Sequence, residues 1–201
     1  MTPALQPLHA AALAAAFALT AGCATDDQLR GAITEVNQTF RVEYESILAE
    51  RGSRVYRAPR EQAFSALRSA LSRVGMRLGD QAPDIGYLNV YADSPLPLAP
   101  QEWREAATQD RPKLRAIAMR YVGPLGYLID FEPQGLETVI NGATVATAEG
   151  TEVSLTVRLR EIAPPRSGIP RREYLPPSAV RMGLDKIWAE LDRELPGLRL
   201  R

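Results

Sequence analysis

Apolar positions along the chain fall into two periods, one helical and one of two residues. Between Asp26 and Arg51, Leu29, Ile33, Val36, Phe40, Ile47 and Leu48 recur at spacings of three, four and seven, the mark of one helical face. Asp26 and Asp27 suit the first turn, where the helix dipole favours anions, and Gly52 can end the helix. Ser53 to Arg57 reads as a short strand. Pro59 opens a second helix at the position where its missing N–H costs nothing; Ala63, Phe64, Leu67, Ala70, Leu71 and Val74 form its stripe, and Gly75 lies just past its end. Met76 to Leu78 begins another strand, and Gly86 turns the chain into the strand Tyr87–Tyr91.

Ser94 to Pro112 breaks the pattern: Pro95, Pro97, Pro100 and Pro112 forbid a central strand. Gln101 to Thr108, carrying Trp103, can make a short helix in an excursion between strands. Four strands are predicted next. Leu114–Val122 puts Ile117, Met119 and Tyr121 on one face, and Gly123-Pro124-Leu125-Gly126 turns the chain into Tyr127–Phe131. Leu136–Thr147 contains Gly142, read as a bulge. Thr151–Glu161 alternates most cleanly, with Val153, Leu155, Val157 and Leu159 inward and Ser154, Thr156, Arg158 and Arg160 outward, the signature of an antiparallel sheet with one wet face. After the proline-rich loop 163–177, a last helix over Ser178–Leu195 buries Val180, Leu184, Ile187, Trp188, Leu191 and Leu195. The order predicts an α+β domain: an antiparallel sheet of about five to seven strands, helices packed on one face, and an amphipathic helix in front.

The N-terminus has a different character. Ala10–Leu19 holds seven alanines, two leucines and Phe17, followed by Thr20-Ala21-Gly22-Cys23, and Cys23 is the only cysteine in 201 residues. Ten helical residues span about 15 Å, half a bilayer core, so the run fits a secretory signal rather than a membrane span. The four-residue end resembles the lipobox of bacterial lipoproteins. That resemblance implies cleavage before Cys23, a diacylglycerol on its thiol and an acylated amine; with Ala24 next, it also implies sorting to the periplasmic face of the outer membrane. The expected organisation is a signal over 1–22, the anchor and first helix over 23–52, and the α+β domain over 53–201.

Charge and chemistry narrow the function. Lys and Arg balance Asp and Glu at 24 each, so no large field draws nucleic acid. His9, inside the signal, is the only histidine. The expected mature chain therefore has no Ser-His-Asp triad, Cys-His pair or histidine-bearing metal site, and no catalytic, cofactor-binding or metal-binding residues are assigned.

Val55-Tyr56-Arg57-Ala58-Pro59, an amphipathic helix, Gly75-Met76-Arg77-Leu78, Gly86-Tyr87-Leu88 and a terminal amphipathic helix resemble the helix-grip domains of the C lipoprotein of the outer-membrane β-barrel assembly machinery. That resemblance implies a binding or scaffold role and a protein partner in the envelope. Candidate partner contacts are Asp130 and Glu132, expected as a cross-strand ion ladder with Arg158 and Arg160, together with Arg166, Arg171 and Arg172 of the proline-rich loop, and Trp103. Two alternatives compete. A carrier of lipid or another apolar molecule requires a cavity of several hundred Å³ between helices and sheet. A cell-wall hydrolase requires two carboxylates converging at a cleft, with Asp130 and Glu132 as the candidates.

Overall fold

Thr25 starts the first helix. Its hydroxyl accepts the Gln28 N–H at 3.3 Å and the Gln28 side chain accepts the Thr25 N–H at 2.9 Å, a reciprocal cap. The structure, a computed structural model, describes residues 24–163 and 168–200. The elements run α1 (Asp26–Arg51), β1 (Ser53–Tyr56), α2 (Arg60–Arg73), β2 (Arg77–Ala82), β3 (Tyr87–Asp93), α3 (Pro100–Val122), a 3₁₀ helix (Gly123–Leu128), β4 (Leu136–Thr147), β5 (Gly150–Glu161) and α4 (Pro177–Glu194). The five strands form one antiparallel sheet in the order β1-β5-β4-β3-β2. The fold is α+β, with helices on the sheet, as the sequence predicts.

One face of the sheet is covered. Leu67 and Leu71 of α2 and Ile187, Trp188 and Leu191 of α4 meet Tyr56, Leu88, Val90, Ile140, Val153 and Leu155 in one buried cluster. Each such side chain contributes about 1.5–3 kcal/mol when fully buried. The β5 alternation holds as read: odd positions from Val153 to Leu159 are buried, and Arg158 and Arg160 are exposed. Gly142 makes no bulge, because β4 keeps continuous register with β5 from Leu136 to Thr147. Its lack of a side chain makes room for α2 instead: a Cβ there would lie 2.7 Å from Leu67 Cδ2. The irregularity falls in β2, where the register shifts between Leu78 and Gln81.

Two predicted strands are corrected. Leu114–Val122 belongs to α3, a 23-residue helix that also absorbs Gln101–Thr108. Its buried positions, Trp103, Ala106, Ala107, Leu114, Ile117 and Ala118, follow helical spacing, and Pro112 sits inside it on the exposed side. A proline there removes one backbone bond, which the buried stripe offsets. Tyr127–Phe131 is the end of the 3₁₀ helix and irregular chain. Only Phe131 of its alternating set is buried: it stacks with Phe40 of α1 (centroids 5.7 Å) and Tyr174 (6.0 Å) in a second cluster that includes Trp103 and Leu114. α1 therefore lies along α3 and α4, held by apolar contact.

Candidate functional site

The predicted ladder does not form. Without a strand at 127–131, Asp130 lies beside α3, where its carboxylate takes the Arg111 guanidinium at 2.8 Å and accepts the Phe131 N–H at 2.8 Å. Glu132 is exposed, and the slit it shares with Asp130 holds only about 10 Å³. That space admits no sugar, so the two carboxylates do not make a hydrolytic cleft. Arg160 pairs with Glu137 of β4. Trp103 is a core residue: it is 5% exposed and its indole N–H points at the Phe131 carbonyl, 3.4 Å away. Arg171 donates to the Glu161 carbonyl at 2.8 Å and Arg172 to the Glu161 carboxylate at 3.0 Å, so both pin the proline-rich loop to the end of β5. Cys23 and Arg166 lie outside the described residues.

The face of the sheet away from α2 and α4 carries a polar grid. Antiparallel register lines up Asn89, Asn141 and Thr156 in one row and Tyr91, Val139 and Arg158 in the next. Asn89 and Tyr87 both donate to the Asn141 side-chain oxygen, at 2.7 and 3.0 Å. Arg77 stacks over Tyr91 with 5.0 Å to the ring centre.

A concavity lies at the edge of this sheet. β1 is four residues long against twelve in β5, and its register stops at Ser53↔Ser154. The last rung is the Leu155 N–H donating to the Gly52 carbonyl at 2.8 Å. Beyond it, no strand covers β5 on that side among the described residues. α1 runs past the bare edge instead, leaving a groove of about 620 Å³ between Val157–Leu159 on one wall and Asn37, Arg41 and Tyr44 on the other. Phe40, Leu175 and Val180 give it apolar lining, and Glu173 and Tyr174 bound it. The sequence carries half of this signal, strands of about five and eleven residues; that the two are neighbours comes from the sheet order.

Tyr44 marks the wall. Its hydroxyl oxygen is buried without a partner of full hydrogen-bond geometry. Burial pushes the phenol up, and the Val157 N–H and Arg158 guanidinium facing it oppose that shift. Arg158 itself has no carboxylate within salt-bridge distance among the described residues, whereas Arg41 is paired with Glu45 at 2.9 Å. Tyr174 is pushed up to about 12, mainly by burial.

A second surface lies at the opposite end of α1. Tyr121 packs on Gly31, where a Cβ would sit 2.5 Å from its ring, and its hydroxyl donates to Glu35 at 2.7 Å. The 3₁₀ helix that follows folds back on the last turns of α3, with Gly126 against Met119. There Leu125, Tyr127 and Leu128 are 38%, 59% and 79% exposed.

Comparison with known proteins returned no matching family, no similar curated protein and no similar solved structure.

Proposed function

We propose that the protein is a non-enzymatic, lipid-anchored binding protein of the bacterial envelope, held through Cys23 at the periplasmic face of the outer membrane and serving as a scaffold for another envelope protein. The observation that carries this reading is the groove between α1 and the bare edge of β5, on a helix whose cap, Thr25, stands two residues after Cys23. Such a groove offers a partner both backbone hydrogen bonds and an apolar lining. The exposed Leu125, Tyr127 and Leu128, on the 3₁₀ helix after α3, offer apolar side chains that can meet lipid.

The alternatives find less support. The space between helices and sheet, where a carrier would hold its cargo, is filled by Tyr56, Leu67, Leu71, Ile187 and Trp188. Asp130 is engaged by Arg111, and the slit it shares with Glu132 is too small for a sugar. The test is Cys23→Ser in the native cell. The reading predicts that the wild-type chain fractionates with the outer membrane and the variant with soluble periplasmic protein. Unchanged fractionation of the variant would remove the anchor from the account.

A further inference from the structure

We infer that the groove binds an extended polypeptide segment that adds as a strand to β5, with apolar side chains directed into the groove and an acidic side chain between them; this rests on the binding-protein reading and names the chemistry of its partner. Leu155 sends its N–H to Gly52 on the β1 side, and successive residues alternate, so the N–H and C=O groups of Val157 and Leu159 point the same way, past the end of β1. An added strand continues the β1–β5 interface by the same pattern. A row of backbone donors and acceptors selects polypeptide over lipid or sugar, because only another extended backbone matches its spacing.

Register then assigns the side chains. In an antiparallel addition, residues opposite Val157 and Leu159 point as those two do, toward Phe40 and Val180. The residue between them stands opposite Arg158, on the open face. Arg158 is the groove's cation without a carboxylate partner among the described residues, so an aspartate or glutamate there completes it. The Tyr44 hydroxyl, buried over the Val157 N–H, is the group that the incoming backbone displaces. An apolar-acidic-apolar tripeptide fits these demands.

The test uses the full chain in mild detergent, nitrogen-15 labelled, with a capped seven-residue peptide alternating valine and aspartate. The inference predicts the largest amide shifts at Val157 and Leu159. N-methylation of the peptide nitrogens that face β5 should weaken binding about tenfold or more, since two backbone bonds are lost. Arg158→Glu should weaken the aspartate peptide and strengthen a valine–lysine peptide by similar factors, with the amide spectrum unchanged away from β5. No shift at Val157 and Leu159, or equal binding of the N-methylated peptide, would overturn the inference. So would shifts at these amides that follow protein rather than peptide concentration, which would assign the edge to a second copy of the chain. Peptide binding in detergent does not depend on acylation, so a negative result here is separate from a negative result at Cys23.

Discussion

Trp188 donates its indole N–H to the carbonyl of Arg51 at 2.8 Å, joining the last helix to the final turn of the first. The same ring lies under the Arg54 guanidinium, 5.0 Å from its centre, and Arg54 pairs with Asp192 of α4 at 2.8 Å. Arg51 adds a contact to Asp185 at 3.2 Å. The first helix is therefore docked along the domain and forms a wall of its groove. Trp188→Phe should destabilise the protein by about 2–4 kcal/mol, from the lost bond, an orphaned carbonyl and the void left by the smaller ring. Urea unfolding measures this; a loss under 0.5 kcal/mol would mean that the junction holds without the indole.

Gly142 and Leu67 are a matched pair across the sheet and α2. Gly142→Val should cost about 1–3 kcal/mol through overpacking. Adding Leu67→Ala should recover part of that loss, so the two changes should be clearly non-additive in a double-mutant cycle. Strict additivity would separate the two positions.

Asp110 caps α4 from a distance. It accepts the Ser178 N–H at 2.7 Å and the Ser178 hydroxyl at 3.1 Å, at a terminus where Pro176 supplies no side-chain cap. Burial raises its carboxyl above the usual range, and the Ser178 bonds oppose this only in part. A raised folded-state value means that the folded chain holds the proton more tightly. Its contribution to stability is thus fully present below the unfolded carboxyl value, about 4, and declines as pH rises through the raised folded value. The stability difference between wild type and Asp110→Asn should therefore shift against the wild type over that window. Asp110→Ala, which removes the acceptor, should cost about 1 kcal/mol at neutral pH. Urea titrations at several pH values check both; a difference that moves in favour of the wild type with rising pH would reverse the assigned shift.

The exposed Leu125 and Leu128 of the 3₁₀ helix predict membrane contact. Leu125→Asp with Leu128→Asp, made in a Cys23→Ser background so that the proposed acylation cannot contribute, should lower partitioning onto phospholipid vesicles about tenfold or more. Equal sedimentation with vesicles would remove these leucines as a membrane contact.

Where one principle dominated, the sequence was readable. α1, α2 and α4 show clean helical stripes, and β5 shows strict alternation, because each presents one face to one core. α3 was hidden by two local cues. Ile117, Met119 and Tyr121 imitate a strand, and Pro112 imitates a boundary, yet the spacing Trp103, Ala106, Ala107, Leu114, Ile117, Ala118 is helical throughout. Small alanines carried much of that stripe, so it was weak by hydrophobicity and strong only by position. The ladder of Asp130 and Glu132 with Arg158 and Arg160 failed with the strand it required. Asp130 found Arg111 on the helix that replaced that strand, a partner 19 residues away in sequence. The groove was half legible. The strand lengths differ in the sequence, but only the β1–β5 pairing turns that difference into a bare edge, and only the path of α1 puts a wall opposite it.

Mass spectrometry of the protein purified in mild detergent from its own membranes tests the central claim most directly, with wild type and Arg158→Glu compared side by side. The account predicts an N-terminus at an acylated Cys23 in both, and a stoichiometric envelope protein retained by the wild type and lost from the variant. An unmodified N-terminus, or a partner held equally by both chains, would contradict it.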